Sequence, residues 1–136
     1  MAHGLLVNID VDDLAAAQAF YASAFGLVPA RRLGDTIVEL TGSSAPVYLL
    51  AKPAGSAASA AAALPRDYAR HWTPVHLDFT VDDLDASLAR ALAAGATLEG
   101  EPQTHVWGRI AHMADPWGHG FCLVQFLGRG YDEIAE

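Results

Sequence analysis

Apolar and polar residues alternate through Leu5–Val11 and again through Val75–Val81, and each run leads into an Ala-rich segment whose larger apolar residues recur at helical spacing. A period of two marks a half-buried strand, and a period near 3.6 marks a helix covering one face of a sheet. In the first helical segment Leu14, Tyr21 and Phe25 share a stripe; in the second, Leu84, Leu88, Ala91 and Leu92 do. The same four residues stand at both junctions, Val11-Asp12-Asp13-Leu14 and Val81-Asp82-Asp83-Leu84. An Asp pair ahead of a helix supplies acceptors for its free N–H groups and complements its dipole. Gly26 and Gly95, just past the last turns, suit the left-handed conformation that ends a helix. The chain therefore reads as an internal duplication.

Three strand-like runs follow the first helix, around Val28–Leu33, Thr36–Thr41 and Pro46–Lys52, separated by Gly34-Asp35 and Gly42-Ser43-Ser44. The second half repeats the plan with Thr97–Glu101, Gln103–Ala114 and Gly120–Leu127. Before the last run, Asp115-Pro116-Trp117-Gly118 places Asp, Pro and Gly where a type I turn between antiparallel strands wants them. The predicted class is α+β, with two βαβββ modules at about 4–53 and 73–127 in a single domain over 1–136. The connection, 54–72, opens with the Ala/Ser-rich stretch Ala54–Ala63, whose composition suits a short helix or a mobile tether; the sequence leaves both open.

Composition narrows the function classes. Of 136 residues 27 are Ala, so roughly a third of the chain is larger apolar residues, enough for a core. Eight Lys+Arg against 16 Asp+Glu give a net charge of -8 and a pI near 5.0, which repels polyphosphate backbones and anionic headgroups. Neither nucleic acid nor a membrane surface is expected as a partner. Cys122 is the only cysteine, which rules out an internal disulfide and a thiolate cage. Met1–Asp10 lacks the basic and apolar regions of an export signal, and no run approaches the ~20 apolar residues of a membrane span. A cytoplasmic protein is expected.

Along the opening strands, Leu5, Val7, Ile9 and Val11, and Val75, Leu77, Phe79 and Val81, form the rows expected beneath the helices. The opposite rows read Leu6, Asn8, Asp10 and His76, Asp78, Thr80, and two such faces turned toward one another make a cleft. Three features then carry a resemblance: the paired modules; Asn8-Ile9-Asp10-Val11-Asp12-Asp13-Leu14 leading to Phe20-Tyr21 and Phe25-Gly26-Leu27; and Asp115-Pro116-Trp117-Gly118-His119. Over roughly residues 4 to 127 the chain resembles the vicinal oxygen chelate superfamily. That group includes glyoxalase I, bleomycin-resistance proteins, fosfomycin-resistance thiol transferases, extradiol dioxygenases and methylmalonyl-CoA epimerase. The resemblance implies a curved-sheet cleft of the glyoxalase/bleomycin-resistance type and a homodimer, for which unpaired sheet edges give a physical motive.

It also implies metal ligands, usually His or Gln and then Glu, in the opening and closing strands of each module. The matching positions are Leu6, His76 and, seven residues beyond Asp115, Cys122; the closing strand of the first module, Val47-Tyr48-Leu49-Leu50, offers apolar or phenolic side chains. Only His76 belongs to the usual set, and Leu cannot donate. No metal or other cofactor is expected; the alternative is a soft ion on His76 and Cys122, completed by a partner chain. His76 otherwise reads as a hydrogen-bonding residue of the cleft wall, and Cys122 as a buried inert thiol or, at a carboxylate position of the relatives, a nucleophile.

His105, Trp107 and Arg109 are expected along one face of the penultimate strand, with Val106, Ile110 and His112 on the other. An indole for stacking beside a guanidinium fork suits an aromatic or anionic small molecule; the plainer alternative is a cross-strand stack with a solvated Arg. Tyr68, His71 and Trp72 form a lid or pin the connection to the core. Glu39 is the best-placed carboxylate for general-base work, while His119 and His3 read as surface residues. The expected function is a glyoxalase/bleomycin-resistance-like protein that binds a small molecule in a metal-poor cleft. Its lining is His76, Asp78, His105, Trp107, Arg109 and Cys122, with Tyr48 and Trp72 at the edges. The alternative is a glyoxalase-like lyase or isomerase in which His76 or Glu39 moves a proton while Arg109 stabilises an oxyanion. A small regulatory or assembly domain is the third reading.

Overall fold

In the computed structural model, which describes residues 3–136, each Val-Asp-Asp-Leu sequence stands where a strand gives way to a helix. The second Asp of each pair is the cap: Asp13 accepts from the Ala16 N–H at 3.0 Å and Asp83 from the Ala86 N–H at 3.1 Å. Gly26 and Gly95 close the helices at φ 68° and 117°. The chain divides into two units, one ending at Tyr68 and the other beginning at Ala69.

The first unit runs β1 (Val7–Val11), α1 (Leu14–Phe25), β2 (Val28–Leu33), β3 (Ile37–Thr41) and β4 (Val47–Ala51), in sheet order β1-β4-β3-β2. The opening strand lies parallel to the closing strand, and the other pairs are antiparallel. Ile9, Val11, Val38, Leu40, Val47 and Leu49 are buried, as are Ala17, Phe20, Tyr21 and Ala24 of α1. The helix stripe is rotated from the predicted one, because Phe20 and Tyr21 are both buried, edge to face at 5.0 Å, while Leu14 and Phe25 are half-buried. Leu5 precedes β1 and is 71% exposed, so it leaves its predicted row.

The Ala-rich stretch contains no helix. It is a loop whose ends pair through Gly55 N–H to Arg66 O and Arg66 N–H to Ser56 O, both 2.8 Å. The Arg66 guanidinium fastens it, donating to Asp10 Oδ2 at 2.7 Å and to the Ala57 carbonyl at 2.7 Å.

The second unit runs β5 (Leu77–Thr80), α2 (Leu84–Ala94), β6 (Thr97–Leu98), β7 (Gln103–His105), β8 (Gly108–Ala114) and β9 (Gly120–Phe126), then a single 3-10 turn, Gly130–Glu133. Its sheet order is β5-β9-β8-β6, with β7 also on β8 and β5 parallel to β9. Leu84, Ala91, Ala111, Met113, Phe121 and Leu123 are buried. Leu92, assigned to the helix stripe, is exposed, and Val75 lies outside β5 at 84% exposure.

The larger departure is in Gln103–Ala114, expected as one strand and found as a hairpin in which His105 pairs with Gly108 around a turn at Val106-Trp107. At Gly108 the backbone runs so close to β9 that a Cβ would lie 2.4 Å from the Gln125 carbonyl oxygen. The turn at Asp115 forms as predicted: its buried carboxylate accepts from the Trp117 and His119 N–H groups at 2.8 and 2.9 Å, and Gly118 N–H returns to its carbonyl.

Candidate functional site

On the second unit, α2 packs against one face of the sheet through β8 and β9, and the candidate residues lie on the opposite face. Because alternate strand residues share a face, Asp78 of β5, Cys122 of β9 and His112 of β8 form a row across three strands, Asp78 pairing with Cys122 and Cys122 with His112. His76, two residues before Asp78, is on the same face, with Nε2 3.2 Å from Asp78 Oδ1. The donor atoms of His76, Asp78 and Cys122 all lie within 4.8 Å of one another. Cys122 is 1% exposed; burial, then the charge and hydrogen-bonding of Asp78, push its thiol up to about 12. Such a shift favours the protonated thiol, which counts against the nucleophile reading.

At one border of this face Trp72 tilts against the His76 ring at 5.0 Å. Nearby, Arg70 grips Glu99 with two hydrogen bonds of 2.7 and 2.9 Å, holding the Glu99 carboxyl below its usual range. Arg70 lies over β9 at Gly120: a Cβ there would meet its guanidinium at 2.6 Å, so the end of the arginine side chain would have to shift.

At the other border is an aromatic platform. His105 and Trp107 stack at 5.1 Å with rings 7° from parallel, Trp107 meets Tyr131 at 5.2 Å, and Tyr131 stands edge-on to Phe126 at 4.8 Å. Phe126 and Tyr131 are both exposed. Phe126 also lines a cavity of about 280 Å³ with Thr80, Val81, Asp82 and Gln125. Neither ring was among the sequence candidates. The available signal was Gly128-Arg129-Gly130-Tyr131, two glycines in positive φ that fold the chain back so that Tyr131 reaches Phe126.

Arg109 does not join them. Because β8 starts at Gly108, Arg109 pairs with Gln125 and takes the helix side, donating to Asp85 Oδ1 of α2 at 3.0 Å, while Gln125 caps the Leu84 N–H at 2.8 Å. It lies on the face opposite Cys122, so the predicted row of His105, Trp107 and Arg109 is broken. An oxyanion role for Arg109 beside His76 has no geometric support.

The first unit carries its own polar row on the sheet face opposite α1, where Asn8 pairs with Tyr48 and Tyr48 with Glu39. Glu39 accepts from Arg31 Nε and Nη2 at 2.9 and 2.6 Å and from the Tyr48 hydroxyl at 2.7 Å. These bonds, with Arg31 the larger cause, lower its carboxyl to about 2. A carboxylate saturated by three donors is a poor base, which counts against Glu39 as a proton acceptor. The folded-state value lies below the unfolded value near 4.5, so the stabilisation is present above about pH 4.5 and lost as pH falls toward 2. Urea midpoints measured over that window are expected to fall more steeply for the wild type than for Glu39→Gln.

The metal ligands implied by the superfamily resemblance are incomplete in these residues: Leu6 has no donor, and the Tyr48 hydroxyl is committed to Glu39. Sequence comparison adds a decisive observation, since the profile of the Glyoxalase-like domain family matches residues 6–124. The chain belongs to the glyoxalase-like domain family. It is thereby a member of the vicinal oxygen chelate superfamily.

Among relatives, this glyoxalase-like chain is 34% identical over 131 residues to the anthracycline biosynthesis protein DnrV of Streptomyces peucetius, matching 95% of the chain and 43% of DnrV. It thus spans less than half the length of that relative. TnmS3, an antibiotic binding protein from Streptomyces sp. CB03234, is 26% identical, with a TM-score of 0.65 over 93% of this chain and 98% of its own. The fosfomycin resistance protein FosX of Listeria monocytogenes shares the fold at a TM-score of 0.73 and 17% identity, covering 99% of this chain and all of FosX.

Proposed function

We propose that this glyoxalase-like chain binds a planar aromatic small molecule of the antibiotic class on the sheet face of its second unit opposite α2. The observation that carries the reading is the parallel His105–Trp107 stack, continued by Tyr131 and Phe126 beside a cavity. Flat, solvent-accessible rings give contact area at low entropic cost, and an aromatic ligand adds the next layer. His76 and Asp78, exposed on the same face, are the polar groups that orient the ligand's oxygens. The names of two relatives, an anthracycline biosynthesis protein and an antibiotic binding protein, support the ligand class.

A titration of intrinsic tryptophan fluorescence with an anthracycline as probe tests the reading. Saturable quenching is expected in the wild type, with Trp107→Ala weakening binding about tenfold, as the loss of one ring stack worth ~1.5 kcal/mol implies. No saturable binding, or equal affinity in the variant, contradicts it.

The same proposal takes the chain as a cytoplasmic homodimer. A lone buried cysteine suits a reducing compartment, and among the described residues no helix is long and apolar enough to cross a membrane. β1 and β5 each end their sheets, edges that a second copy can cover. Sedimentation should return twice the 14.4 kDa chain mass.

A further inference from the structure

We propose that the cavity beside Phe126 is a subsite for a protonated amine, so that the aromatic molecule taken up by this chain is one that carries a basic amino group. The inference deepens the functional reading above and rests on it. The cavity, about 280 Å³, is lined by Thr80, Val81, Asp82, Gln125 and Phe126. Sites for whole drug-sized ligands run to about 300–1,000 Å³, so this one suits a substituent of a polycyclic ligand. Thr80 pairs with Val124, two residues before Phe126, which places Thr80 and Phe126 on the same sheet face. Phe126 also stands edge-on to Tyr131. One ring thus belongs both to the aromatic platform and to the cavity wall, and a ligand stacked on the platform can extend a side group into the cavity.

Asp82 is the charged residue of the lining. It is exposed and, among the described residues, makes no hydrogen bond or ion pair. Its acidic neighbours are engaged: Asp83 accepts from the Ala86 N–H at 3.1 Å, and Asp85 holds Arg109 at 3.0 Å. Arg109 feels Asp85 first and then Asp83, which leaves the Asp82 carboxylate without a counter-ion. The start of a helix ordinarily favours an anion. Here the Leu84 N–H is taken by Gln125 Oε1 at 2.8 Å and the Ala86 N–H by Asp83, while the Asp82 carboxylate repels negative charge. The complementary charge is positive. An ammonium is a compact cation with three N–H donors: it pairs with the Asp82 carboxylate and donates to the Thr80 hydroxyl, and Phe126 adds an aromatic ring of the kind that attracts cations.

The test uses two probes, an anthracycline bearing an amino sugar and its N-acetyl derivative, in which the same sugar is neutral. Each is titrated against the full chain at low salt by tryptophan fluorescence. The wild type is expected to bind the amine about fivefold more tightly, the upper end for an exposed ion pair. In Asp82→Asn, and in the wild type at high salt, that ratio should fall to about one. The substitution keeps the side-chain shape and leaves the Asp83 cap in place; circular dichroism and the urea midpoint verify the fold. Equal affinity of the wild type for both probes, or a ratio retained in Asp82→Asn, overturns the proposal while the aromatic reading stands. Saturable binding of neither probe contradicts both, so the two failures are distinguishable.

Discussion

Gly108→Ala is expected to lower unfolding free energy by up to ~3 kcal/mol and to weaken aromatic-ligand binding in the same variant. The added Cβ would stand 2.4 Å from the Gln125 carbonyl oxygen, 3.3 Å from its carbon and 3.2 Å from Phe126 Cα. All three are backbone atoms of β9, so no side-chain rotation relieves the overlap and the strands must part. They would part at the point that builds the platform: Gly108 pairs with His105 across the hairpin and with Phe126 across the sheet. The adjacent Trp107 carbonyl accepts the Leu127 N–H at 3.0 Å. Urea unfolding gives the stability loss and fluorescence titration the binding loss. Wild-type values in both contradict the packing described.

Cys122→Glu is expected to cost about 3–5 kcal/mol at neutral pH, the usual penalty for a buried charge without a partner. It restores the carboxylate that the resemblance implies at this position, yet here the neighbour is Asp78, in register across the strand pair. Burial and the charge of Asp78 both raise the introduced carboxyl above its ordinary range, as they raise the native thiol. The folded value then exceeds the unfolded one, so the electrostatic penalty is absent below the unfolded value of about 4.3 and grows as pH climbs toward the folded value. Urea unfolding at about pH 4 and pH 7 should show the variant's deficit widening toward neutrality. Cys122→Ser, whose hydroxyl can still donate to Asp78, should stay within about 1.5 kcal/mol of wild type. An equal deficit at both pH values would show that the introduced group is not buried beside a charge.

What sequence could show divides along a physical line. Helix ends and the last turn depend on a few neighbouring residues, so Asp13, Asp83, Gly26, Gly95 and the Asp115 turn were readable, as was the alternation that puts His76 and Asp78 on one face. Partners set by register between distant segments were not. Arg109 looked like a companion of Trp107 because both sit two apart in a presumed strand. The close approach of Gly108 to β9 begins a new strand there and sends Arg109 to Asp85. Glu39 looked free for chemistry because nothing local shows that Arg31, eight residues away across the β2–β3 pair, will occupy it. Tyr131 escaped notice for the same reason, since its place beside Phe126 depends on two glycine-enabled bends.

The most direct test of aromatic binding on the face opposite α2 is a map of backbone amide chemical-shift changes on titrating the isotope-labelled chain with an anthracycline. The account predicts perturbations concentrated in His105–His112, Cys122–Phe126 and Tyr131, with saturation at one equivalent. Shifts confined to the Ala54–Ala63 loop or to α1, with those segments silent, would contradict it.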